Sequence, residues 1–441
     1  VLEPQSTTFF LLLMALFGAT VLWAGLAKQP VFRLLAASLA FIPAMLFGVA
    51  AVNKYYGYYE TWGAVIADFT NRGVQNIPQV PAAGAGSAQA FDQLLGSEIN
   101  LPQAAKVGAE IGLTVKGRAS RMVRAVIVYL PPQYFQKNYA SYRFPVVELM
   151  HGQPGEPEDW IAALNVQATL QNLVRAHQAD PVVLVMPDVN GGRRQSLQCL
   201  NQVGGEADET FVAADVPDYV AARIRVQPPG QAWGIAGYSE GGYCAANLAL
   251  RHPHRYGFAG VMSGYFQPSA DRIVVRRILM HVDPFKGNAK LRQLNSPQDI
   301  VRSLPLGAQI PQFWVSAAVA SPADVLSATS FVNELRLRAP ATPLVLTSNG
   351  RHNGVAWRAM IPPMLTWMTT RLALTVALGC PACAPPGKAT SQPVSPQGSL
   401  SHLGAGHPGP GPGRALQPAD ATLLVGPGAA RLPGRAVPAT E

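Results

Sequence analysis

Residues 237–242 read Gly237-Tyr238-Ser239-Glu240-Gly241-Gly242, after the apolar run Ala232-Trp233-Gly234-Ile235-Ala236 and before Tyr243-Cys244-Ala245-Ala246-Asn247-Leu248-Ala249-Leu250. The short run reads as a strand and the longer stretch as a helix, so the serine sits where one passes into the other. G-x-S-x-G in that setting is a nucleophile elbow. The serine is held on a tight, strained turn, and a Cβ two residues to either side would meet neighbouring backbone. The turn lifts the hydroxyl clear of the sheet and aims a helix N-terminus at the reacting carbon. The bare pattern recurs by chance in unrelated chains, and the flanking strand and helix are what give it weight.

Working outward, the chain from about Lys106 alternates short β-rich runs with helical stretches. Residues 123–130 form one run, which stops at Pro131-Pro132; residues 145–150, 181–186, 233–237, 258–263, 312–316 and 343–347 follow. Strands alternating with helices predict a mainly parallel sheet covered by helices on both faces. With the elbow in its middle, such a sheet is expected to bind ligands at the carboxyl ends of its strands.

The 441-residue chain is long enough for two or three units. Four segments are predicted: a two-helix transmembrane hairpin at 1–55, a juxtamembrane segment and linker at 56–105, the catalytic domain at 106–378, and a disordered Pro- and Gly-rich tail at 379–441. The hairpin rests on two uncharged apolar runs at 8–27 and 34–52, each close to the ~20 residues that a bilayer core demands. A cleaved signal peptide fits the first run less well: its apolar part is too long, and it has neither a basic start nor a small-x-small cleavage site. Lys28 and Arg33 in the connection place that loop in the cytoplasm and everything after Val52 outside, which predicts a multi-pass membrane protein with an extracytoplasmic catalytic domain. The chain opens on Val1, not methionine, which leaves room for a preceding segment. Tyr55, Tyr56, Tyr58 and Tyr59 follow the second run and suit the headgroup zone.

A net charge of +9 is mild for this length. It fits attraction to an anionic surface such as lipid, and without a basic stripe interleaved with aromatics it gives no sign of nucleic-acid binding. Four cysteines do not make a disulfide scaffold; Cys199 and Cys244 either pair outside the cytoplasm or stay as buried thiols. Cys380 and Cys383 have redox spacing but lack a surrounding strand and helix. HExxH, a Walker loop and paired Cys/His zinc ligands are absent from the catalytic stretch, so neither metal nor organic cofactor is expected.

A serine hydroxyl needs a base to take its proton and a third group to orient that base. In this fold the chain order is serine, acid, histidine. His352, in Gly350-Arg351-His352-Asn353 directly after the last strand, stands where the base belongs, whereas His252 and His254 lie at the far end of the elbow helix. For the acid, Asp324 in the loop after the 312–316 strand competes with Glu334 on the helix beyond it, and Asp283 is a more distant rival. The oxyanion needs preorganised N–H donors. The backbone N–H of Glu240 supplies one, and Gln153, in His151-Gly152-Gln153-Pro154-Gly155, the other.

These residues resemble the esterase branch of the α/β-hydrolases, which includes esterase D-type enzymes and the mycobacterial mycolyltransferases. The resemblance rests on Tyr129-Leu130-Pro131-Pro132, the His151–Gly155 loop, Asp215-Val216-Pro217 leading to the elbow, and the His352 loop, in that order. It implies Ser239 as acylated nucleophile, His352 as base, and Gln153 and Glu240 as oxyanion donors. For the acid, the mycolyltransferase pattern favours Glu334 and the other esterases favour Asp324. The expected protein is a membrane-tethered serine esterase acting on an acyl ester, lipid or envelope glycolipid included. Acyl transfer to a sugar or lipid hydroxyl and a non-catalytic envelope interaction module are the competing readings.

Overall fold

The structure is a computed structural model and describes residues 2–57, 59, 61–69, 77–81, 86–192, 196–268, 271–275 and 278–379. Cys380, Cys383 and the tail lie outside the described residues, as does most of the Pro81–Ser87 stretch read as linker.

The sheet has eight strands. They are β1 (Ala109–Lys116), β2 (Val123–Leu130), β3 (Val146–Met150), β4 (Val183–Pro187), β5 (Gly230–Tyr238), β6 (Tyr256–Met262), β9 (Gln312–Ala318) and β10 (Leu344–Thr347); β7 (Asp271–Val275) and β8 (Ile278–Val282) pair separately as a hairpin. The order is β1-β2-β4-β3-β5-β6-β9-β10, antiparallel from β1 to β4 and parallel from there on. All five residues of β3 and of β4 are buried, as expected of strands covered on both faces. The elbow helix Glu240–Arg251 packs on one face with Phe211, Phe331 and Tyr256; the helix Gly354–Gly379 packs on the other with Trp160, Leu170 and Trp314. The seven strands read from the sequence are present within a few residues. Missed were β1, whose Ile111, Leu113 and Val115 alternate inward, and the β7/β8 hairpin.

Strand register brings the site together. Gly237 lies beside Met150 on one side and Val261 on the other, so the chain leaves β3 and β5 side by side, as His151-Gly152 next to Tyr238-Ser239. The strand order turns back on itself at this β3/β5 junction, the usual position of a ligand crevice in such sheets.

Two N-terminal differences matter. The stretch at 56–105 is not linker throughout: the helix Ala88–Glu98, capped by Ser87, buries Phe91 and Leu95, and Asn100 caps a second helix, Leu101–Val107. Asp92 on the first of these pairs with Arg225 at 2.8 Å. The apolar positions at i and i+4 and the caps are ordinary helix signals that the Ala- and Gln-rich composition obscured. The apolar runs form helices Thr7–Leu26 and Pro30–Tyr56. The second is longer than its uncharged run. Pro30 starts it at a position where the missing N–H costs nothing, which leaves Arg33 inside the helix, and it runs on through Lys54 and Tyr55 to a left-handed cap at Gly57 (φ 69°). Hairpin and sheet fall in one compact unit, Val1–Thr390.

Candidate active site

Ser239 has φ 55° and ψ −119°, a backbone state that L-residues avoid. Glycine packing enforces it. A Cβ on Gly237 would overlap the carbonyl of Gly241, and one on Gly241 would overlap the carbonyl of Met150. The Ser239 N–H ties the turn to β6 by donating to the Met262 carbonyl at 2.9 Å, the Gly242 N–H closes it by donating to the Ser239 carbonyl at 3.0 Å, and the elbow helix begins at Glu240.

His352 Nε2 lies 2.8 Å from Ser239 Oγ, and His352 Nδ1 lies 2.8 Å from Asp324 Oδ2. The sequence assigned Asp324 to a loop. It occupies instead the first turn of the helix Pro322–Arg336, which Pro322 opens, and the positive end of a helix favours a carboxylate. Glu334, ten residues further along, is about 15 Å away by helical rise and pairs with Arg302 at 3.0 Å. Asp283 is held elsewhere. It accepts from Phe285 N–H, Gly287 N–H and Arg292, and against some desolvation these donors keep its carboxyl below the usual range. His252 pairs with Glu209 at the far end of the elbow helix. The side chain of His281 lies outside the described residues.

The loop after β3 is bolted in place. His151 is fully buried; its Nε2 accepts from Val189 N–H (3.1 Å), which leaves Nδ1 to donate to the Gly152 carbonyl (2.9 Å). Asn190 donates to Gln153 Oε1 (2.8 Å) and accepts from Leu197 N–H (3.0 Å). Gly152 sits against Ser239: an added Cβ would be 3.3 Å from the Ser239 Cβ. The Glu240 carboxylate, in the residue after Ser239, turns away into the protein. Ser196 Oγ bonds it, and the Gln198 N–H reaches it at 3.4 Å. The Ser196–Leu200 segment is fastened by a Cys199–Cys244 disulfide to the elbow helix, so the two thiols left open by the sequence are paired.

Ser239 and His352 open into a cleft of about 560 Å³, counting its solvent-exposed mouth, with Gly152, Gln153, Tyr238, Trp357 and Asp159 in its wall. Tyr238 stacks obliquely on Trp357 (4.4 Å), whose edge meets the His352 ring (5.5 Å). Burial pushes the Asp159 carboxyl up, against the N–H of Glu156. Tyr56 and Gly57, from the end of the second apolar helix, complete the lining. The sequence missed Asn190, Trp357, Asp159 and the two hairpin residues. Only Asn190, in the Asp188-Val189-Asn190-Gly191 turn after β4, carried a local signal. Among the described residues no cluster of His, Cys, Asp or Glu is grouped to hold a metal.

The mainly parallel sheet, helices on both faces and a strained strand-to-helix turn at Ser239 give the α/β-hydrolase fold. The family described as "Putative esterase" matches residues 120–368, more than half of the chain, and the chain belongs to that family. It is an enzyme of the esterase and acyl-transfer class. An uncharacterised protein of Corynebacterium glutamicum is 26% identical over 358 residues, 78% of either chain. The MPT51/MPB51 antigen of Mycobacterium tuberculosis is 36% identical over 111 residues, 25% of this chain and 33% of that protein. The diacylglycerol acyltransferase/mycolyltransferase Ag85A of the same species is 38% identical over 61 residues, 14% of this chain and 18% of its own. Among solved structures, a ferulic acid esterase aligns with a TM-score of 0.49 at 20% identity, covering 60% of this chain and 98% of its own.

Proposed function

We propose that this protein is a membrane-tethered serine esterase that works through an acyl-serine intermediate outside the cytoplasm. The observation that carries the reading is His352 bridging Ser239 Oγ and Asp324 at 2.8 Å on each side. Ser239 Oγ attacks the ester carbonyl while His352 Nε2 takes its proton, and Asp324 stabilises the resulting imidazolium. The backbone N–H groups of Gln153 and Glu240 hold the oxyanion, each such donor being worth about 3 kcal/mol to the barrier. When the ester C–O bond breaks, His352 returns the proton to the departing alcohol. Water, or a hydroxyl of a sugar or lipid, then attacks the acyl-serine by the same route reversed. The mycolyltransferase likeness favours a hydroxyl acceptor as the second reading.

Tethering is supported by two linked helices of 20 and 27 residues, each holding an 18-residue stretch with a mean hydropathy of 2.2 that is mostly unburied. A 20-residue helix is about 30 Å long, the thickness of the hydrocarbon core, whereas a core helix of a soluble domain would be covered. The Cys199–Cys244 disulfide fits an oxidising compartment, and Lys28 in the hairpin turn fits a cytoplasmic turn.

The test is covalent labelling of the full-length protein in detergent with a fluorophosphonate, beside Ser239→Ala, with intact mass on both. One adduct on the parent chain and none on the variant is expected. A folded parent chain that takes no adduct overturns the reading.

A further inference from the structure

The end of the second apolar helix does more than tether. Its last residues form part of the active-site wall, and they are fastened to the loop that carries the base. Asn353, next to His352, donates to the Tyr55 carbonyl at 3.2 Å, and Arg358 donates to the Gly57 carbonyl at 3.0 Å and to Ala163 at 2.8 Å. The fit is close on both sides: a Cβ on Gly57 would lie 3.0 Å from the Val355 side chain, and one on Gly354 would lie 2.6 Å from the Gly57 carbonyl.

This attachment fixes the height of the cleft above the bilayer. Val49 and Val52 are the last apolar side chains on that helix that are more than half exposed. Tyr56, in the cleft wall, is four residues beyond Val52, about 6 Å of helical rise. The headgroup zone is about 5–8 Å deep on each side of the hydrocarbon core, so the cleft stands within it. A domain on a free 20-residue tether would range about 25 Å from its anchor. Interfacial groups surround the same level: Lys54 lies over the Phe10 ring at 5.0 Å, Trp62 packs edge-on against Phe9 at 5.2 Å, and Tyr55 is exposed.

We infer that the substrate is a membrane-resident acyl ester, whose chains stay in the adjacent leaflet while its ester rises at headgroup depth into a cleft walled by Tyr56 and Gly57. This rests on Ser239 being the nucleophile. Water-soluble esters reach the same serine without using the arrangement, so the preference lies in the ratio of kcat/KM for vesicle-borne over soluble ester. Arg358 is a positioning residue, because it ties the membrane helix to the site without touching the reacting atoms.

The experiment places the full-length protein in phosphatidylcholine nanodiscs and attaches a fluorescent phosphonate to Ser239. Nitroxide lipids labelled at the headgroup, or deep in the acyl chain, are then introduced. Strong quenching by the headgroup nitroxide and weaker quenching by the deep one is expected. A labelled protein that neither nitroxide quenches overturns the inference and leaves the serine mechanism standing; a protein that takes no label overturns both. Arg358→Gln, with phosphonate uptake counting the folded sites, is expected to lower the vesicle-to-soluble kcat/KM ratio about tenfold, since small displacements of a bound ester are costly. An unchanged ratio counts against the inference.

Discussion

The two halves of the candidate site are held in different ways. The half carrying Ser239, made of β3, β5 and the elbow helix, is buried apart from the first residues of β5, Ser239 itself and the last residue of the helix, with glycines packed against carbonyls and a disulfide fastening the neighbouring loop. The half carrying His352 and Asp324 lies at the sheet's margin. β10 is only partly covered, the His352 side chain is 42% exposed, and the loop leans on the second apolar helix through Asn353, Gly57 and Arg358. Ser239 itself apart, changes in the first half should therefore be read chiefly in stability, and changes in the second chiefly in turnover.

The largest effect should come from the exposed half. Asp324→Asn is expected to lower kcat by about 10³–10⁴-fold with little change in Tm, because it removes the partner that orients His352; Glu334→Gln should stay within about twofold. Steady-state assays beside thermal melts check both, and equal losses in the two variants would break the assignment of the acid. In the buried half, the paired substitution Cys199→Ser with Cys244→Ser opens a 45-residue loop and should cost about 3–4 kcal/mol. Denaturant unfolding measures this, with the folded fraction still taking up phosphonate.

Smaller is the contribution of Glu148, fully buried on β3 beside Ile235 of β5. Burial pushes its carboxyl up to about 8, against the hydrogen bond from Tyr256 (2.8 Å) and the attraction of Arg255, which pull it down. The folded chain keeps this proton after the unfolded chain has released it. Stability therefore falls as pH rises from about 4.5 to about 8 and levels off above. Glu148→Gln should lose that slope, with a difference between pH 5 and pH 8 of about 3 kcal/mol at most; an unfolding series across that range shows whether it does. Least in size, Gly57→Ala should cost about 1 kcal/mol for the left-handed cap. Its turnover on soluble ester should nevertheless fall a few-fold, because Val355, two residues after Asn353, must shift. A melt that drops while turnover holds would contradict the division between the halves.

The same division explains what could be read from the sequence. The buried half is built from consecutive residues whose types are dictated by local geometry, so Gly237-Tyr238-Ser239-Glu240-Gly241 and the loop 151–155 stand out in the chain. His352 also has a local signature, a polar turn after an apolar strand. Choosing between Asp324 and Glu334 needed the start of the helix, since both are acidic residues on one segment, and only the first turn faces the histidine. The Tyr56 and Gly57 wall had no local signal at all. It joins residues some 300 positions apart in the chain, and the tyrosines already had a sufficient explanation as headgroup anchors. Two short helices in the supposed linker escaped for another reason, because the Ala- and Gln-rich composition outweighed their caps and their buried Phe91 and Leu95.

The seam between Gly57 and Gly354 also bears on how the enzyme is handled. A fragment trimmed after Tyr59 to improve solubility would keep the serine, the histidine and the aspartate, yet its cleft would lack one wall. Such a trimmed enzyme would still hydrolyse chromogenic acetates. Its substrate ranking would then describe an opened cleft, not the one the cell uses.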